Sequence, residues 1–188
     1  MPIDFLQAAD TVAPQLLGCV LTHAGVSIRL TEVEAYLGAG DEAAHTFRGQ
    51  TPRNAAMFGP GGHMYVYLSY GIHRAGNIVC GPAGTGQGVL LRAGEVVAGE
   101  ELASRRRGPV PPHRLAQGPG NLGRALDLQI SDNHAELGGD DFQLVEPGNM
   151  PEWVRGPRVG ISRNVEAKLR FWIPGDVTVS RRKGRPAP

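Results

Sequence analysis

The feature that most constrains this chain is a pair of apolar runs, each doubled back on itself about a short turn. Val20 and Leu21, then Val26, Ile28 and Leu30, flank His23-Ala24-Gly25. Apolar residues on both sides of a tight Gly-containing turn predict two antiparallel strands, the second running towards Glu34. Residues 64–68 and 77–80 repeat the arrangement around Tyr70-Gly71, and 89–91 supply a third strand after the Gly-rich 81–88. Strands joined in this way predict a curved antiparallel sheet with a protruding hairpin tipped by Tyr70.

The rest of the chain sets short helices beside that sheet. Phe5, Leu6, Ala8, Ala9 and Val12 recur at helical spacing behind Asp4, a candidate N-cap, and Pro14 interrupts the pattern. Residues 100–107 and 121–128 suit helices, and 142–145, 158–161, 169–173 and 177–179 suit strands. Between them, 38–62 is Gly-, Pro- and Asn-rich with little periodicity beyond a helix start at Thr51-Pro52, which marks a functional loop. The class is α+β: one mixed domain over residues 1–180, followed by a flexible basic tail at 181–188. A chain of 188 residues with 41% hydrophobic content suits one core of this kind. No apolar run reaches the roughly 18 residues of a membrane span, and no basic leader precedes an apolar stretch, so a cytoplasmic protein is expected. Cys19 and Cys80 lack any metal-ligand or disulfide spacing and read as buried small hydrophobes.

A net charge of +1 conceals an asymmetry: residues 1–100 hold 5 basic against 8 acidic side chains, residues 101–188 hold 14 against 10. Seventeen of the 19 basic residues are Arg, the side chain that grips phosphate bidentately and stacks on bases, although a GC-rich genome enriches Arg as well. An enzyme acting on a base inside duplex DNA must extrude the nucleotide, fill the gap, sandwich the base and attack. Tyr65 and Tyr67 share one strand face and could floor a pocket, while Tyr70, at the turn, could wedge into a base step. Ordinary sheet packing would equally explain a Tyr-rich strand. Glu34-Ala35-Tyr36 followed by Asp41-Glu42-Ala43-Ala44-His45 offers a carboxylate, an aromatic ring and a polar reader. Glu32 shares the parity of Glu34, so both could instead decorate a solvated face.

With these elements in order, the sequence resembles the alkyladenine (3-methyladenine) DNA glycosylase family. The matching stretches are Thr31-Glu32-Val33-Glu34-Ala35-Tyr36-Leu37-Gly38, Asp41-Glu42-Ala43-Ala44-His45, Gln50-Thr51-Pro52-Arg53-Asn54, Tyr65-Val66-Tyr67-Leu68-Ser69-Tyr70-Gly71, Asn77-Ile78, Val89-Leu90-Leu91-Arg92-Ala93 and Arg158-Val159-Gly160-Ile161. The resemblance implies a monofunctional DNA repair enzyme that hydrolyses the N-glycosidic bond of alkylated or deaminated purines in double-stranded DNA. It implies Glu34 as general base, with Arg92 and the Val159 carbonyl holding the attacking water. Tyr36 then stacks on one face of the flipped base, and His45 and Tyr67 on the other. The His45 amide reads the purine edge, Asn77 hinders guanine, and Tyr70 is the wedge. No metal or cofactor is required, and a monomer is expected.

Lys168 and Lys183 are the only lysines and lie outside the matched stretches, so a Schiff-base lyase step lacks an evident nucleophile. Two features depart from the family pattern. Arg74-Ala75-Gly76 stands where bulky apolar residues are usual, and the stretch between Asn77 and Arg92 is longer than in the vertebrate form, so the pocket floor could admit larger adducts or be filled from elsewhere. The competing readings are a non-catalytic minor-groove DNA-binding protein built on Tyr70 and the arginines, and a metal hydrolase built on Glu32, Glu34, His45 and His63.

Overall fold

A computed structural model describes residues 2–69 and 71–180, so Tyr70 and the basic tail at 181–188 lie outside the described residues. The chain runs through α1 (Ala9–Gln15), β1 (Val20–His23), β2 (Val26–Tyr36), β3 (Met64–Ser69), β4 (His73–Cys80), β5 (Gln87–Ala98), α2 (Glu100–Arg107), β6 (Ala116–Gln117), α3 (Pro119–Ala125), β7 (Gln143–Val145), β8 (Val154–Gly156) and β9 (Arg170–Trp172). Among the described residues the strands form one open antiparallel sheet in the order β3-β4-β5-β2-β1-β7, with β6 on β5, β9 on β2 and β8 on β9. This is the α+β class expected from the sequence. The β1–β2 turn places Ala24 and Gly25 at positive φ (46° and 79°), the twist a two-residue hairpin demands.

The core lies where β2 and β5 pack beneath the helices. Ile28, Leu30 and Val33 of β2 meet Val12 and Ala13 of α1, Ala103 of α2 and Leu122 of α3 in one apolar cluster. Each fully buried Leu or Ile contributes about 1.5–3 kcal/mol. α3 docks on β4 with almost nothing between them. A Cβ at Gly123 would fall 2.0 Å from the Arg74 carbonyl oxygen, and one at Gly76 would fall 2.6 Å from Leu128 Cδ1.

β2 is the central strand of the site. One edge pairs with β5 from Ser27 to Tyr36, while the other pairs first with β1 and then, over Glu32 to Glu34, with β9. Carboxylates at 32 and 34 are therefore hemmed in on both edges. Among the described residues, the outer edge of β3 carries no further strand. Instead Asn133 binds Val66 as a strand would: the Val66 N–H donates to Asn133 Oδ1 (2.9 Å) and Asn133 Nδ2 donates to the Val66 carbonyl (3.1 Å). The Met64 N–H donates to the Ala135 carbonyl at 2.8 Å.

Several expected elements differ. The opening helix begins at Ala9, not behind Asp4, because Asp4 Oδ1 accepts the Leu6 N–H (3.0 Å) and closes a turn of its own. Its first N–H, from Ala9, is satisfied by Gln87 Oε1 (3.1 Å), and Pro14 sits inside its last turn without ending it. α3 starts two residues earlier than 121, with Pro119 in the first turn where a missing N–H costs nothing. Residues 158–161 are loop, since the Val159 N–H is drawn to the Glu34 carboxylate and Gly160 takes φ +77°. Residues 177–179 form a turn because Asp176 Oδ1 accepts both the N–H and the hydroxyl of Thr178.

Candidate active site

Two β-bulges build the site. Leu30 pairs with Gly94 and Glu32 with Ala93, so Thr31 is extra on β2. Val33 then pairs with Leu91, so Arg92 is extra on β5. A bulged residue is free of the ladder and its side chain is re-aimed, and here the Arg92 side chain reaches the two glutamates. Arg92 Nε donates to Glu32 Oε1 at 2.9 Å, and Nη1 lies 3.4 Å from Glu34 Oε2. Glu32 also receives Arg170 Nε (2.6 Å) and both the N–H (2.6 Å) and hydroxyl (2.9 Å) of Ser180. Burial pushes the Glu32 carboxyl up, but Arg92, Arg170 and Ser180 together hold it below its ordinary value. Neither carboxylate is solvated: both residues have 0% exposure.

Glu34 has the opposite balance. Its Oε1 accepts the Val159 N–H at 2.7 Å and its Oε2 the Tyr36 hydroxyl at 3.0 Å. Burial raises its pKa, the neighbouring Glu32 charge adds to that, and together they outweigh Arg92, Val159 and Tyr36, which lower it. Burial and then the Glu34 charge keep the Tyr36 hydroxyl protonated well above its ordinary value, so it remains a donor. The Tyr36 ring is backed by the Arg158 guanidinium, 4.5 Å from its centroid. Arg158 pairs through both terminal nitrogens with buried Asp41 and donates to the Ala35 carbonyl (2.9 Å). Asp41 in turn accepts the N–H groups of Leu37 (3.3 Å) and Ala43 (3.2 Å), which fixes the loop that carries His45.

A cleft of about 680 Å³ opens above this floor, within the range of small-molecule sites. Tyr36, His45, Tyr67, Asn77, Arg92 and Val159 all line it, and Glu34 lies beneath, covered by Tyr36, Arg92 and Val159. His45 meets Tyr67 edge-on at 4.5 Å, and Tyr67 is backed by Tyr65 at 5.6 Å. Asn77 Nδ2 donates to the Tyr65 carbonyl at 3.2 Å. His45 stands exposed at the rim, and partial desolvation followed by the Arg53 charge lowers its pKa, so its imidazole is neutral at pH 7. At the cleft mouth an exposed Glu42–Arg163 pair (3.6 Å) links the two walls.

Of the candidate site residues, Tyr70 alone lies outside the described residues, and the other seven meet at the cleft. Gly76 faces the core beneath α3, where a Cβ would meet Leu128 and Met64, and neither it nor the fully buried Ala75 lines the cleft. The stretch between Asn77 and Arg92 is a plain β4–β5 hairpin whose turn spans 81–86. Of the four residues in the metal reading, Glu32 is committed to two guanidinium groups and His63 lies outside the cleft lining. The Glu32–Arg170–Ser180 clamp and the Asp41–Arg158 pair were missed. Asp41 and Arg158 stand in the matched stretches, but nothing in their spacing shows that they meet.

The sequence profile of the methylpurine-DNA glycosylase (MPG) family matches residues 3–177. The chain is 77% identical over 186 residues to a protein of Corynebacterium efficiens, covering 99% of this chain and 98% of that one. It is 74% identical over 187 residues to one of Corynebacterium glutamicum (99% of each) and 52% identical over 186 residues to one of Cutibacterium acnes (95% and 97%). All three are provisionally named 3-methyladenine DNA glycosylases.

Proposed function

Because the chain belongs to the methylpurine-DNA glycosylase family and is a monofunctional DNA repair glycosylase, we propose that it removes alkylated or deaminated purines with Glu34 as the base that activates water. The observation that carries this reading is a fully buried carboxylate with a raised pKa, beneath an aromatic cleft and 3.4 Å from Arg92. Departure of a purine leaves positive charge at C1′ of the sugar. A carboxylate at that position stabilises the charge and takes the proton from the attacking water, and its pKa works best when raised towards the operating pH. Arg92, held by Glu32, opposes that rise by favouring the ionised form of Glu34, and helps seat the water with the Val159 carbonyl.

The flipped base lies between Tyr36 and the His45–Tyr67 pair. The Arg158 charge behind Tyr36 stiffens one wall, and the edge-on His45–Tyr67 contact fixes the other. The His45 N–H, which has no acceptor among the described residues, reads the purine edge, and Asn77 at the floor disfavours guanine. Tyr70 fills the gap in the duplex. The protein acts as a monomer, in the cytoplasm, on double-stranded DNA.

The test is Glu34→Gln on a duplex carrying one hypoxanthine, with strand cleavage by alkali as readout. The amide keeps the shape and can still accept the Val159 N–H, but it cannot take a proton. DNA affinity should be retained while single-turnover excision falls about 10²–10⁴-fold, the usual worth of a general base. A rate near that of the parent chain would remove Glu34 from the mechanism.

A further inference from the structure

The β3–β4 hairpin has two sides, and the cleft occupies one of them. Leu68 and Ser69 of β3 line the cleft, while their register partners Arg74 and His73 on β4 line a second concavity of about 330 Å³. Side chains alternate along β4, so Arg74 faces away from the cleft-lining Asn77, on the side where Gly76 abuts Leu128 beneath α3. The two depressions approach each other at α3, where Pro119 lines the first and Gly120 the second.

The second concavity is basic. Arg74, Arg106 and Arg124 converge on it. Arg106 is committed to the wall: it donates to the carbonyls of Ala125 (2.8 Å) and Ala24 (2.7 Å). Arg74 and Arg124 are exposed, and among the described residues neither has a carboxylate partner. The one carboxylate at the rim, Asp127, accepts Gln129 Nε2 at 2.8 Å. The Arg124 charge is felt by its neighbour, since Arg107 is lowered by burial and then by Arg124. Beside these arginines Ile72 is 75% exposed, an apolar side chain at the lip of a cationic groove. Guanidinium groups without acidic partners and an exposed apolar lip fit a polyanion that also presents flat apolar surface.

We propose that the Arg74–Arg124 groove is a second DNA-backbone site, holding phosphates on the far side of the hairpin from the cleft that takes the extruded nucleotide. It rests on the reading that the cleft takes that nucleotide. The groove then braces the duplex against the hairpin from the opposite side, so the strand is held at two points that straddle the gap. The base-flipping cleft itself contains neither arginine.

The test is equilibrium binding of the full chain to a lesion-free duplex and to one carrying a single hypoxanthine, measured by fluorescence anisotropy from 50 to 200 mM salt. Arg74→Gln and Arg124→Gln are compared with Arg105→Gln, an exposed α2 arginine that lines neither depression and removes the same charge. Each groove variant should weaken binding on the order of fivefold to tenfold at 0.1 M salt and reduce the log–log salt slope by about 0.9, the signature of one lost phosphate contact. Arg105→Gln should bind as the parent does. An unchanged slope in the double groove variant, or an equal loss in Arg105→Gln, overturns the proposal. Because binding to the lesion-free duplex requires no excision, a chain that fails to release hypoxanthine overturns the Glu34 reading without touching this result.

Discussion

At the scale of single residues, the site works by giving two neighbouring glutamates opposite tasks. Glu32 accepts four donors and is held below its ordinary value against burial, so it is a permanent anion that fixes Arg92. Glu34 is raised by burial and by the Glu32 charge. Its base function needs the ionised form, so activity should fall as pH drops through a value above the ordinary carboxylate range of about 4.3. Glu32→Gln removes a charge that raises Glu34 and lets Arg92 lean wholly on Glu34. The acidic limb of the single-turnover pH profile should therefore move to lower pH while the plateau rate falls, because a weaker base faces a less well placed water. A merely structural role for Glu32 would lower the plateau and leave the limb in place. His45, lowered by partial desolvation and by Arg53, is a poor source of a proton for a neutral leaving group at pH 7.

At the scale of elements, the contact between α3 and β4 decides where the hairpin points. Gly123 has no room for a side chain because the obstacle is the Arg74 carbonyl, which cannot rotate away. Gly123→Ala should cost about 1–3 kcal/mol of stability as the helix is displaced from the strand, measured as a lower urea midpoint with unchanged slope. An unchanged midpoint would mean that the backbone yields freely there. Much of this level was legible in the sequence. Apolar runs on either side of two turns placed β1, β2, β3 and the second half of β4, and 100–107 formed the expected helix. What escaped was whatever depended on one extra residue or on distant partners. Periodicity cannot reveal a bulge at Arg92, since a single insertion leaves the apolar pattern of β5 intact on either side. Residues 158–161 have strand composition, yet their backbone is spent on a carboxylate 125 positions earlier. Glu32 looked like surface because Arg170 and Ser180 lie 138 and 148 positions away.

At the scale of the whole molecule, an open sheet must end somewhere, and unpaired edges invite pairing with a second copy. Here β3 is the terminal strand on the cleft side, and one asparagine amide occupies its edge at Val66. Asn133→Ala leaves that N–H and carbonyl without partners, at a cost of about 1–3 kcal/mol for each group that stays unsatisfied. The cheapest repair is another β3. We therefore expect the variant to show a concentration-dependent rise in mass by light scattering relative to the parent chain at equal concentration. Equal masses across the range would show that the edge is guarded by other means. The edge lies on the strand whose Tyr65, Tyr67, Leu68 and Ser69 line the cleft, so self-association through it would set a second copy beside the cleft wall, and the count of active sites per mole, read by burst titration, should fall with the rise in mass. A rise in mass for Asn133→Ala would make this amide, beside the backbone contacts of Met64 with His134 and Ala135, a guard that limits how concentrated the protein can become before copies pair.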